Sequence, residues 1–199
     1  MAAVTLCSQA GRAASFQNGD FGIGPSFTDP FITLYNGDTS ITGWTVTGHS
    51  IDYIGTYWQA PPGATRSIDL DGLGQGGIQQ TFDTISGAQY QVRFYLAGNP
   101  DGAPSTKNIL VVSWGTPAAY SFDASGATLG NMGWILESFT FTAEGPSTTL
   151  QFNSQDSGYY GPALGGVNVS QIPLPATALL LGTGLLGLGL LGFRRKKQD

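Results

Sequence analysis

Apolar and polar side chains alternate along "AQYQVRFYL", residues 88–96, and no other feature limits the possible folds so sharply. Tyr90, Val92, Phe94 and Leu96 fall on one face, with Gln91, Arg93 and Tyr95 on the other. A period of two belongs to a strand with one buried face, whereas a helix would repeat every 3.6 residues. "ESFTFTAE" sets Phe139 and Phe141 against Ser138, Thr140 and Thr142, and "TTLQFNS" repeats the pattern with Leu150 and Phe152. "RSIDLDG", "GGIQQTF", "KNILVVSW" and "VNVSQ" add further strands. Strands roughly 8–15 residues apart, with no amphipathic helix between them, predict an all-β sandwich over residues 16–170. Thirty glycines and eleven prolines in 199 residues supply the turns. No internal repeat is found.

Charge is scarce and unevenly placed. Residues 16–172 hold three basic side chains, Arg66, Arg93 and Lys107, against twelve acids, a net charge of −9. Such a surface repels phosphate backbones, so no nucleic acid is expected as a partner. Cys7 is the single cysteine, which excludes an internal disulfide and a Cys-rich metal centre.

The chain closes with "IPLPATALLLGTGLLGLGLLGFRRKKQD". Ala176 to Phe193 carries no charge and includes eight leucines. As a helix it would extend about 27 Å, close to the ~30 Å of a bilayer's hydrocarbon core. At roughly −0.5 kcal/mol per leucine, insertion gains on the order of −4 kcal/mol, which five glycines weaken. One C-terminal transmembrane helix over 176–193 is therefore expected. A Pro linker over 171–175 precedes it, and a basic tail over 194–199 stays in the cytoplasm. The order Pro173-Leu174-Pro175, apolar span, Arg194-Arg195-Lys196-Lys197 resembles the PEP-CTERM sorting signal of Gram-negative bacteria. That resemblance implies an exported protein, held in the membrane or at the cell surface and handled by an exosortase-type processing enzyme. Here Leu174 stands where the name-giving motif has Glu. At the other end, residues 1–15 read as the remnant of a signal peptide whose start lies upstream, with Ala13-Ala14-Ser15 as a small-residue cleavage site.

"NGDF", "ITGWTVTGHSIDYIGTYWQA", "RSIDLDG", "GGIQQTF", "YQVRFYLAGNPDG", "NMGW", "SFTFTA", "LQFNSQDSGYYGPAL" and "VNV" follow one another in that order. Together they resemble the choice-of-anchor C family of bacterial surface proteins, related to a plant cell-wall family of unknown function. The resemblance implies a galactose-binding-like jelly-roll sandwich of carbohydrate-binding-module type, with no established catalysis. Related sandwiches often hold a structural calcium between an acid after "NGDF" and an Asp before the last strand. Gly22 and Gly165-Gly166 occupy those places here, so that site is expected to be empty.

Other motifs carry less. "GLGQGG" places Gly72, Gly74 and Gly77 in a G-x-G-x-x-G pattern, but a strand-like run follows, which favours a turn over a nucleotide site. Asp69 and Asp71 in "DLDG", with Asp52, could form a weak cation site, and exposed strand-end acids are the plainer expectation. His49 is the single histidine, which excludes a multi-His zinc centre, and no G-x-S-x-G elbow accompanies it. No metal, cofactor or enzymatic activity is expected.

Aromatics provide the candidate binding residues. Tyr57, Trp58 and Gln59 in "DYIGTYWQA", with Asp156 and Tyr159 in "DSGYYGP", pair rings that stack on a sugar with groups that bind its hydroxyls. Structural packing is the competing role for Trp58 and the tyrosines, and Trp44, Trp114 and Trp134 are expected in the core. Two functions remain open: binding or organising extracellular polysaccharide, as in a biofilm matrix, or a structural adhesion role through protein–protein contacts without a glycan.

Overall fold

The computed structural model of the chain describes residues 15–173. Its regular elements are eleven strands: β1 (Phe31–Tyr35), β2 (Thr45–Gly48), β3 (Ser50–Ile54), β4 (Ser67–Asp69), β5 (Gly76–Asp83), β6 (Gln89–Gly98), β7 (Thr106–Ser113), β8 (Thr116–Asp123), β9 (Ile135–Thr142), β10 (Ser147–Ser154) and β11 (Pro162–Gln171). They form a six-stranded sheet in the order β1-β3-β4-β11-β6-β9 and a five-stranded sheet in the order β2-β5-β10-β7-β8. Every named pairing is antiparallel. The chain passes repeatedly from one sheet to the other, as in a jelly roll. The expected transmembrane helix over 176–193 and basic tail over 194–199 lie outside the described residues, as does the expected signal-peptide remnant over 1–15 apart from Ser15.

The alternating segments become the inner layer. Tyr90, Val92, Phe94 and Leu96 of β6 are all buried, as are Phe139 and Phe141 of β9 and Leu150 and Phe152 of β10. The β6 and β9 rows of one sheet meet Leu150 and Phe152, together with Ile78, Phe82, Ile109 and Val111, from the other. Phe94 packs edge-on against Phe152 at 5.2 Å between ring centroids, which ties the two sheets together at the centre. Burying an apolar side chain of this size contributes about 1.5–3 kcal/mol, so the paired inner rows hold the sandwich closed. β1, β2, β3 and β8 join the strands read from the alternation.

Tryptophans are distributed differently from expectation. Trp44 is buried and donates its indole N–H to Asn18 O at 2.9 Å. Trp114, expected in the core, is 39 % exposed. It follows β7 directly, in the two-residue turn before β8, with its backbone at φ 49°, and its N–H reaches Thr148 Oγ1 at 2.6 Å. Trp134 lies at the entrance to β9, half-buried, bonded to Gln59 O at 2.9 Å.

Candidate functional site

Three adjacent strands of the six-stranded sheet set side chains in one outward row. The register pairs Thr33 with Asp52 and Asp52 with Asp69, and it pairs Phe31 with Ile54. Directly opposed residues on neighbouring strands have Cβ atoms about 4.5–5.5 Å apart. Thr33, Asp52 and Asp69 therefore form a polar line, with Phe31 and Ile54 as an apolar line beside it. These residues floor a cleft of about 260 Å³ whose walls include Tyr57, Leu73, Asn99, Tyr159 and Tyr160.

The walls are held from below. Asp101 accepts a short hydrogen bond from the Tyr57 hydroxyl, and this bond, the largest influence on it, pushes the phenol up to about 12. Tyr57 thus stays a neutral donor, braced on its other side by the edge-on Phe31 ring at 5.1 Å. Lys107, on β7 of the other sheet, is buried, and its Nζ donates to Gly102 O at 2.8 Å and to Tyr160 O at 2.5 Å. One ammonium therefore clamps the two wall loops together. Burial lowers the Lys107 pKa, and the carboxylates of Asp156, Asp69 and Asp71 oppose that. The loops also approach so closely that a side chain on Gly102 would meet Tyr160 Cδ2 at 2.0 Å.

The acids of "DLDG" are not the exposed strand-end groups expected of them. Asp69 is 1 % exposed. Its Oδ1 accepts from the Asp71 and Gly161 backbone N–H groups, each at 3.0 Å, and its Oδ2 from Asn99 Nδ2 at 2.8 Å. Burial still raises its pKa well above the ordinary carboxylate value. Asp71 is fully buried, and neither of its carboxylate oxygens has a hydrogen-bond partner. Burial raises it to about 6, with nearby Ser154 and the Gly76 N–H opposing only in part. Asp52 differs: its Oδ1 accepts from Thr33 Oγ1 at 2.6 Å, and it faces the cleft. Its pKa is also raised, chiefly by burial. Among the described residues, no group of three or more His, Cys, Asp or Glu is arranged to hold a metal ion.

Of the five residues read as sugar contacts, two stand at the cleft. Tyr57 lines it, and Tyr159 does so with 59 % of its surface exposed. Trp58 does not: it is 5 % exposed and donates its N–H to Ser67 Oγ at 2.8 Å, so it offers no ring face to a ligand. Gln59 faces a different loop, where its Oε1 accepts from Met132 N at 3.0 Å and its carbonyl serves Trp134. Asp156 is buried, and its two oxygens hold the Asn108 backbone N–H at 2.8 Å and its side-chain amide at 2.9 Å. Phe31, Thr33 and Asn99 were not singled out from sequence. "FITLY" gives the faces of Phe31 and Thr33 by its alternation, but nothing in it announces that this face is roofed.

Other sequence features resolve simply. "GLGQGG" is the turn between β4 and β5, closed by a bridge between Asp71 and Gln75. His49 Nδ1 lies 3.1 Å from Ser50 Oγ, and the histidine is absent from the cleft lining. The segment after Asn18 packs beside β11, with Val167 N donating to Gly19 O at 2.8 Å. Gly22 N donates to Asp20 Oδ1 at 3.2 Å, and Gly165 and Gly166 lie in β11.

Halomucin of Haloquadratum walsbyi (strain DSM 16790 / HBSQ001) is 29% identical over 160 residues, which is 78% of this chain and 2% of halomucin. The chain therefore spans only a small fraction of that relative's length. Among solved structures, the family 35 carbohydrate-binding module of Clostridium thermocellum aligns with a TM-score of 0.48 and 12% identity, over 69% of this chain and 97% of that one. The corresponding module of Paenibacillus barcinonensis aligns with a TM-score of 0.46 and 17% identity, over 70% and 98%. Residues 171–197 match the PEP-CTERM protein-sorting motif, which marks an exported, surface-directed protein. Residues 14–170 match the family described as "Protein of unknown function (DUF642)", and the chain belongs to that family.

Proposed function

We propose that this exported protein is a non-enzymatic surface component whose sandwich binds extracellular polysaccharide in the tyrosine-walled cleft. The observation that carries the reading is the convergence of Phe31, Tyr57, Tyr159 and Tyr160 with Asp52 and Asn99 around one cavity. Ring faces stack on the C–H face of a sugar, and the Asp52 oxygen that Thr33 leaves free takes a hydroxyl. Against catalysis stands the state of the two cleft acids. A glycosidase needs both carboxyls at the scissile bond, but Asp69 is buried with both oxygens engaged by protein donors.

The uncharged span over 176–193 and the basic tail support a membrane tether processed by an exosortase-type enzyme in a Gram-negative envelope. Retention on a panel of immobilised polysaccharides tests the binding claim. Wild-type protein retained by at least one glycan, with Tyr159→Ala released, supports it. Release of both from every glycan overturns it. Mass spectrometry of the mature C-terminus in the native host tests the tether.

A further inference from the structure

Within that reading, we infer that the glycan taken by this cleft carries protonated amines, as in a glucosamine-containing, de-N-acetylated polysaccharide, rather than uronate or sulfated sugars. The described residues contain three cationic side chains, and none of them lines the cleft. Lys107 lies behind the walls with its ammonium committed to two carbonyls. The Arg66 guanidinium sits over the Phe27 ring at 4.3 Å and near the Tyr53 ring at 5.3 Å. Arg93 projects from β6, opposite Ser138 and Asn168. A sugar carboxylate or sulfate entering the cleft would find no counter-charge.

It would find the opposite. Asp52 and Asp69 stand side by side on the floor, and Asp101 lies behind Tyr57. Thr33 occupies one oxygen of Asp52 and leaves the other for a ligand. An ammonium group there would make a charge-assisted hydrogen bond, about twice as strong as a neutral one. The four rings supply the second half of the chemistry, because aromatic faces attract cations within about 6 Å. A carboxylate floor beneath aromatic walls is thus better matched to an amine than to a hydroxyl. The net charge of −9 over residues 16–172 draws polycations from a distance and repels polyanions.

The test is isothermal titration of the full chain with hexamers of glucosamine, N-acetylglucosamine and galacturonic acid, at mildly acidic pH and low salt. The glucosamine hexamer should bind about tenfold or more tightly than its acetylated form, the difference expected of one charge-assisted contact. Galacturonate should not bind. Asp52→Asn, which keeps shape and removes charge, should bring the glucosamine hexamer down to the level of the acetylated one. Tyr159→Ala, a change at an exposed ring, should weaken glucosamine binding in a protein that folds normally. Equal or tighter binding of the acetylated or galacturonate hexamer would overturn the amine inference and leave glycan binding intact. Failure of all three, together with an empty polysaccharide panel, would remove the glycan reading itself. Polylysine serves as a further arm: binding as tight as glucosamine, with Tyr159→Ala indifferent for both, would reduce the effect to general charge attraction and refute the site.

Discussion

Asp71→Asn should stabilise the protein at neutral pH and have almost no effect in acid. Asp71 is fully buried and both its oxygens lack partners. Removing its charge therefore removes a desolvation cost and gives up only the partial support of Ser154 and the Gly76 N–H. Its carboxyl rises from 3.8 to about 6, which corresponds to about 3 kcal/mol for holding it ionised in the fold. The direction follows from the raised value. Below 3.8 the group is neutral in both the folded and the unfolded chain and costs nothing on this account. As pH rises towards about 6, the unfolded chain has released its proton while the folded one keeps it, and stability falls. Above that the penalty is complete and constant. Asp69 and Asp52 are raised for the same reason and act in the same sense.

An asparagine amide is also polar and buried, so part of the gain is returned, and about 2 kcal/mol is expected at pH ~7.5. For a chain of this size that corresponds to roughly 4–8 °C in Tm. Urea unfolding followed by tryptophan fluorescence, at pH ~4 and ~7.5, measures it directly. Two results would refute the reasoning. An Asn variant no more stable than wild type at neutral pH would mean that the carboxylate is satisfied in solution. A gain of equal size in acid would mean that packing, not charge, was responsible.

Trp58→Ala should cost about 3–5 kcal/mol of stability, as expected for a large buried side chain, and chemical denaturation would show it whether or not a glycan is present. Lys107→Met leaves Gly102 O and Tyr160 O without their shared donor, and about 2–4 kcal/mol should be lost, with faster proteolysis in the loops around residues 99–105 and 157–161. Gly102→Ala places a methyl 2.0 Å from Tyr160 Cδ2, so the ring must move, and glycan retention should drop even where thermal melting shows a folded protein.

The fold was legible wherever one strand face is apolar. Tyr90, Val92, Phe94 and Leu96 announce β6, and the paired phenylalanines announce β9 and β10, because a period of two has a single physical meaning. β8 was not legible, since "TPAAYSFD" forms an edge strand whose residues are mostly exposed and mark neither face strongly. β1 to β3 failed for a related reason: the segments are short, and polar or glycine residues break the alternation. Tryptophan roles were exchanged. Nothing local separates Trp58, which finds Ser67 as a partner nine residues away and is buried on the outward side of β4, from Trp114, which a tight turn between β7 and β8 leaves at the surface.

The site shows where such inference stops. "SIDLD" alternates faithfully: Ile68 and Leu70 enter the core, and Ser67 and Asp69 point away from it. Periodicity states which way a side chain points and is silent on what lies beyond it. β4 is an inner strand of its sheet, flanked by β3 and β11, and the loops at Asn99–Gly102 and Tyr159–Gly161 close over its end. An outward acid on that strand is therefore buried by segments 30 and 92 residues away along the chain. Lys107 is enlisted from the opposite sheet to hold those same loops. Asp69 and Asp71 are desolvated at a cost in stability, while the Lys107 bonds to Gly102 O and Tyr160 O keep Tyr160 standing beside Asp52. A cleft with aromatic walls over a carboxylate floor cannot be built on a sheet surface without covering some of that floor. The buried acids are the consequence of erecting the walls.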